Sequence, residues 1–342
     1  MPIIDMARAE LERYRPSPSA EPDLASFWER TLAEAARQPL EVQVESVEFP
    51  VDNLSVYRLS YSGWQGTRVV GWFLSRADGS RQPGLVFYHG YSGHKGWPFD
   101  YLGWALQGYA VLAVDVRGQA GDTADAASYP GGHAVGCMTM GIESPEAYYY
   151  RGVYVDSVRA LDALASRPEA DPDRMGVLGV SQGGGLALAV AALDPRPKVA
   201  MPEVPFLCHF PRAVEVSDRL PYQEIATFLH RRPEYTERAF RTLSYFDNLN
   251  LVDRIRCPVL MTVGLQDLVC PPSTVYGVYH RIDAPKELRV YPYGAHEAFP
   301  THAEHKLRWA RRYLMQADWK TGPTDDSRPI QSSTPARSTT PT

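Results

Sequence analysis

The chain of 342 residues has little of what marks several functional classes. Its four cysteines, Cys137, Cys208, Cys257 and Cys270, lie far apart and include no CxxC pair. That spacing suits neither a zinc site nor a disulfide framework, and it predicts reduced thiols in a cytosol. There is no run of about 18 consecutive apolar residues. The opening stretch "MPIIDMARAELERYRP" mixes acids and bases from Asp5 onward and has no apolar core of a signal peptide. These absences predict a cytoplasmic protein with no membrane partner. Positive charge is not in excess either: 35 Lys and Arg face 40 Asp and Glu, for a net charge of -5, so nothing points to a nucleic-acid partner. No internal repeat is visible.

What is present reads as an ordinary globular protein, 44% hydrophobic and 22% charged, with ample length for a large core. "DLASFWERTLAEAARQP" predicts an early helix, with Leu24, Trp28 and Leu32 on one face, Asp23 placed to cap it and Pro39 to stop it. "EVQVESVEF", "SVYRLSYS" and "TRVVGWFLS" alternate apolar and polar residues, as antiparallel edge strands do. Then "GLVFYHG", "AVLAVDVRG", "RMGVLGVS", "PVLMTVGLQD" and "ELRVYPYG" are short apolar runs separated by helical stretches such as "VYVDSVRALDALA". Apolar strands alternating with amphipathic helices predict an α/β fold whose mostly parallel sheet is covered on both faces. The glycine-rich segment 120 to 147 predicts a long loop, of a length that is usually either functional or disordered, and 209 to 250 predicts a helical insertion. The expected organisation is one domain over 1 to 319 and a polar, disordered tail over 320 to 342, rich in Pro, Ser and Thr.

"GVSQG" at 179 to 183 matches GxSxG, a pattern that arises by chance in roughly one chain in ten of this length. Its setting says more: an apolar strand ends at Val180 and a helix-forming run begins near Gly184, as a nucleophile elbow requires. A serine hydroxyl is a weak nucleophile alone, so a base and an orienting acid must follow, in the chain order serine, acid, histidine. Asp267 stands where its strand runs out, whereas Asp253 precedes that strand and Asp283 falls in or after a helix. Of the later histidines, His280, His302 and His305 belong to helical stretches; His296 alone sits in a loop directly after a strand. The spacing of His302 and His305 suits a solvated helix face better than a metal site. Ser181, Asp267 and His296 are therefore the candidate catalytic residues. The backbone N–H groups of Gln182 and of Tyr91, in "FYHGYSGHKG", are the candidate oxyanion donors.

"RGQ" at 117 to 119, "GVSQG" at 179 to 183 and "HE" at 296 to 297, in that order, resemble the three signature motifs of carbohydrate esterase family seven, the acetyl xylan esterases and cephalosporin C deacetylases. "SFWERTL", "YHGY", "YYYRGVYVDSVRALD" and "GLQDLVCPP" are similar to that family's wording, and the likeness runs from residue 5 to 318. The resemblance implies an α/β-hydrolase fold and deacetylation of small acetylated saccharides and related acetyl esters. It also implies no cofactor, and a homo-oligomer, commonly a hexamer with its sites facing an inner cavity. Arg117, Gln119 and Glu297 match motif positions and read as structural, with an Arg117–Glu297 ion pair expected to brace the loops. Where the family often has "GWMT", this chain has "GCMT", and Cys137 is expected either to widen the acyl or leaving-group space or to repack neutrally.

Two other readings compete. One is a broader carboxylesterase of the same fold with a non-sugar substrate. The other is a non-catalytic scaffold of this fold used for binding. A peptidase of the prolyl oligopeptidase type is a weaker expectation, because 342 residues leave no room for a propeller domain.

Overall fold

A computed structural model describes residues 4–315; the expected disordered tail lies outside the described residues. Nine strands form one sheet: β1 (Gln43–Val47), β2 (Leu54–Ser62), β3 (Arg68–Arg76), β4 (Gln82–Tyr88), β5 (Ala110–Val114), β6 (Ala170–Val180), β7 (Pro197–Glu203), β8 (Val259–Gly264) and β9 (Lys286–Tyr291). Their spatial order is β1-β2-β3-β5-β4-β6-β7-β8-β9. The first three strands pair antiparallel, and β3 also runs antiparallel to β5. From β5 to β9 every pairing is parallel.

The helices are α1 (Arg8–Leu11), α2 (Leu24–Ala36), α3 (Leu102–Ala105), α4 (Tyr149–Ala165), α5 (Gln182–Leu193), α6 (Phe210–Val216), α7 (Tyr222–Arg231), α8 (Thr236–Ser244), α9 (Pro272–Arg281) and α10 (His302–Ala310). Successive strand residues point to opposite faces, and the buried side chains divide accordingly. Val86, Leu112, Val177 and Met261 pack on the face that carries α4 and α5. Leu85, Val111, Leu178 and Leu260 pack on the other face, with Ala105 of α3 and Ala310 of α10. The central strands are apolar throughout because water reaches neither side. Helix α5 is apolar around its whole circumference for the same reason, and Gln182 to Ala191 are all buried.

Three sequence expectations need correction. Strand β7 was not anticipated, because "PKVAMPE" carries two prolines and a lysine; it nonetheless lies between β6 and β8 as an interior strand. Asp23 does not cap α2 through its side chain, which instead accepts a hydrogen bond from the Tyr245 hydroxyl. His302 is not on a solvated face. It is fully buried at the start of α10, with neither ring nitrogen hydrogen-bonded among the described residues, and its ring stands edge-on to Tyr291.

Burial drives the His302 pKa down to about 3, helped by Lys306, His305 and Arg289. The unfolded chain therefore binds a proton here below about pH 6.5 that the folded chain refuses until about pH 3. Stability contributed at this site falls as the pH drops through that window. We expect His302→Leu to flatten the acid limb of a plot of urea midpoint against pH between 6.5 and 4. An unchanged slope would place the titration elsewhere.

Candidate active site

Parallel strands bring their carboxyl ends to one edge of a sheet, where the following loops converge. Here β4 and β6 run side by side in the register Tyr88↔Gly179, so the loop after β4 meets the turn after β6. Strands β8 and β9 end level, with Gly264 opposite Tyr291, and their loops carry Asp267 and His296 to the same edge.

Ser181 is the sharp corner between β6 and α5. Its backbone sits at φ 57° and ψ -118°, a region that L-residues rarely occupy. Three backbone hydrogen bonds hold it there: Ser181 N–H donates to Glu203 O (2.9 Å), and Ser181 O accepts from Gly185 (3.0 Å) and Phe206 (2.9 Å). The glycines on either side are a packing necessity. A Cβ on Gly179 would stand 2.4 Å, and one on Gly183 1.9 Å, from the carbonyl oxygen of Tyr88. The elbow can form against β4 only where both side chains are missing.

The residues picked from the sequence meet at this corner. His296 Nε2 lies 2.8 Å from Ser181 Oγ, and His296 Nδ1 lies 2.8 Å from Asp267 Oδ2. Asp267 is fully buried, and its other oxygen accepts from the N–H groups of Val269 and Cys270, both at 2.8 Å. A carboxylate only accepts, so Nδ1 carries the imidazole proton and Nε2 is left to accept from the serine hydroxyl. The side chain of His296 remains 22% exposed, which leaves the ring open to solvent on one side. Asp253, passed over in the sequence, pairs with Arg281 well away from this corner, and His280 contacts the carbonyl of Tyr14.

Gln182 opens α5, and Tyr91 sits just past β4 in a tight turn closed by Gly93 N–H to Gly90 O at 3.0 Å. Neither the Tyr91 nor the Gln182 backbone N–H has an acceptor among the described residues. A half-buried amide network joins their two segments. Gln119 Nε2 donates to Gln182 Oε1 (2.9 Å), and Gln182 Nε2 donates back to Gln119 Oε1 (3.1 Å). Gln119 Oε1 also accepts from the N–H of Ser92 (2.9 Å), and Gln182 Oε1 from the Tyr150 hydroxyl (2.9 Å). Beneath them His89 is neutral by geometry. Its Nε2 accepts from Val116 N–H at 2.8 Å, so Nδ1–H donates to Gly90 O at 2.7 Å, and burial lowers its pKa. A serine joined through a histidine to a buried carboxylate, with two N–H groups that have no acceptor among the described residues on the adjoining segments, is chemically suited to attack an ester or amide carbonyl and hold the resulting oxyanion.

The expected Arg117–Glu297 ion pair is absent. Arg117 is buried and grips Asp156 with two hydrogen bonds (2.7 and 2.8 Å), while its Nη2 also donates to Trp64 O at 3.0 Å. Glu297 is exposed and accepts from the N–H of Ala295 at 3.1 Å. A buried guanidinium needs a partner that is itself dry, and Asp156 on α4 supplies one. Cys137 is half-buried against the core, with its backbone N–H on the Tyr91 hydroxyl at 2.5 Å. The sequence reading missed Glu224 of α7, which accepts from that same hydroxyl. Its only sequence signal is an acid among the buried residues Tyr222, Ile225 and Phe228 of an amphipathic helix.

The model of the acetyl xylan esterase family matches residues 1–313. The chain is 30% identical over 320 residues to acetyl esterase Axe7A of Xylanibacter ruminicola, covering 89% of this chain and 69% of that one. Among solved structures it resembles the acetyl xylan esterase from Paenibacillus sp. R4, with a TM-score of 0.89, 46% identity, and coverage of 90% and 100% of the two chains. It also resembles acetyl xylan esterase 1 from Thermoanaerobacterium sp. JW/SL YS485, with a TM-score of 0.87, 32% identity, and coverage of 91% and 100%. Alpha/beta hydrolase GrgF from Penicillium sp. sh18, 17% identical with a TM-score of 0.56 over 76% of this chain and 99% of that one, shares the fold alone.

Removing Arg117 strands Asp156 in the interior. We expect Arg117→Ala to cost about 3–5 kcal/mol in urea denaturation. Glu297→Ala should change stability by less than about 0.5 kcal/mol. The double variant should show no coupling between the two positions.

Proposed function

The chain belongs to the acetyl xylan esterase family, and on that premise we propose that it removes acetyl groups from acetylated xylo-oligosaccharides and small acetyl esters, cephalosporin C included, through an acyl-enzyme on Ser181. It is a carboxylic ester hydrolase. The observation that carries the mechanism is the unbroken chain from Ser181 Oγ through His296 to Asp267, 2.8 Å at each step, on a backbone corner that exposes the hydroxyl to one side.

In this reading Ser181 Oγ attacks the acetyl carbonyl carbon while His296 Nε2 takes its proton. The carbonyl oxygen becomes an oxyanion and is met by the N–H groups of Tyr91 and Gln182. Collapse of the tetrahedral intermediate breaks the bond to the sugar oxygen, which leaves with the proton from His296. Water then adds to the acetyl-serine with His296 again as base, and acetate departs. Asp267 holds the Nδ1–H tautomer and stabilises the imidazolium in both halves. We carry over from the family resemblance a cytoplasmic homo-hexamer acting on short fragments; sedimentation of the purified protein reads the assembly directly.

Acetate release from acetylated xylo-oligosaccharide and cephalosporin C tests the substrate class. A series of p-nitrophenyl esters of rising acyl length should fall sharply beyond acetate. Turnover only of longer esters would instead favour a broader carboxylesterase. Ser181→Ala should lower kcat by about 10⁴-fold or more. Asp267→Asn is a sharper test. The two N–H donors at Oδ1 force the amide oxygen to stay there, so the amide nitrogen faces Nδ1 and drives the ring proton to Nε2. That histidine cannot accept from serine, and we expect kcat at neutral pH to fall by about 10⁴-fold.

A further inference from the structure

Glu224 is the acid the mechanism leaves unused. It projects from α7, in the insertion between β7 and β8, yet only 4% of it is exposed. No lysine or arginine pairs with it among the described residues. A carboxylate buried without a cation is costly, and burial pushes its carboxyl up while hydrogen bonds from Met138 and Tyr91 pull it back. The hydrogen bonds its carboxylate accepts come from Tyr91 and from the 136–138 turn. The Tyr91 hydroxyl donates to it, at 2.8 Å from Oε1 and 3.0 Å from Oε2, and Met138 N–H donates to Oε2 at 3.0 Å. The same hydroxyl accepts from Cys137 N–H at 2.5 Å. The loop follows the carboxylate so closely that a Cβ on Gly136, already at φ +95°, would stand 2.1 Å from Oε1.

Tyr91 is thus held at both ends of its side chain. Its ring lies edge-on to Phe206, whose N–H donates to Ser181 O, and its hydroxyl is fixed by α7 and the 136–138 turn. Its backbone N–H has no such fixture, because that group must stay free for a ligand. The flanking turn is held by Ser92 N–H on Gln119, Gly93 N–H on Gly90 O and Ala120 N–H on Gly93 O. The side chain of Tyr91 adds a fixed point on the very residue whose N–H must be aimed.

We propose that Glu224 is a positioning residue for the reaction at Ser181: by anchoring the Tyr91 hydroxyl to α7 and to the 136–138 turn, it aims the Tyr91 backbone N–H at the developing oxyanion. This rests on the reading of Ser181 as the nucleophile. Glu224 does not touch substrate. It acts through Tyr91, and so its loss weakens transition-state stabilisation rather than ground-state binding.

The test compares Tyr91→Phe, Glu224→Ala, Glu224→Gln and the Tyr91→Phe/Glu224→Ala double variant, with p-nitrophenyl acetate as probe and Ser181→Ala as control. Deleting an oxyanion donor outright costs about 10²–10³-fold, so a misaimed donor should cost about ten- to a hundredfold in kcat. We expect that loss in both Tyr91→Phe and Glu224→Ala, with KM within about twofold of wild type. The double variant should be no worse than Glu224→Ala, since both remove one link. Glu224→Gln should recover most of the activity, because an amide oxygen at the Oε2 position still accepts from Tyr91 and Met138. Full kcat in Tyr91→Phe, or losses that multiply in the double variant, with Ser181→Ala inactive, overturns this role and leaves the nucleophile intact. Activity retained by Ser181→Ala overturns the underlying reading instead. Should Glu224→Ala fail to fold, Tyr91→Phe, which deletes one oxygen, decides the matter with Glu224→Gln beside it.

Discussion

A serine held at φ 57° and ψ -118° is the constraint on which the rest depends. Such a backbone is strained by an amount on the order of 1–3 kcal/mol and persists only where its surroundings over-determine it. Here they do so from three directions. Strand β7 accepts the Ser181 N–H, the chain after it donates to the Ser181 carbonyl, and β4 presses its last carbonyl against Gly179 and Gly183. The hydroxyl is presented to one side as a consequence of that packing. The loops after β4, β8 and β9 are then already within reach, since parallel strands end at a common edge.

The interior around this corner holds two paired polar clusters. Two glutamines, Gln119 and Gln182, exchange hydrogen bonds and recruit Tyr150 and Ser92. Arg117 and Asp156 close a second, drier pair behind them, with the Tyr149 hydroxyl donating to Arg117 O at 2.6 Å. Partly satisfied networks of this kind would be worse than an apolar core, whereas satisfied ones make the arrangement rigid and unique. The motif RGQ thus divides its labour: the arginine braces α4 against the strand ends, and the glutamine joins the turn after β4 to the first residue of α5. Neither reaches the HE motif that the sequence places at the other end of the same constellation.

Much of the fold is legible in the sequence. Alternation in "SVYRLSYS" marked a strand with one face more polar than the other, and unbroken apolar runs such as "AVLAV" marked strands covered on both sides. Ser181, Asp267 and His296 could be picked because each follows a strand, and strand ends are visible as the point where apolar residues stop. Strand β7 was not, because its prolines imitate a breaker; its place between two other strands is a tertiary fact.

The sequence by itself determined the things that depend on local order along the chain: the class of fold, the elbow, and the identity of the serine, acid and histidine that follow strands in turn. The tertiary structure alone decided partnership between distant buried polar groups. Arg117 chose Asp156, 39 residues away, over Glu297, and Tyr91 chose Glu224 across 133 residues. His302 went into the interior rather than to water. The physical reason is the same in each case. Local patterning reports which way a side chain faces, but desolvation and pairing are settled by whatever the folded chain brings within about 3 Å, and one-dimensional order does not encode that distance.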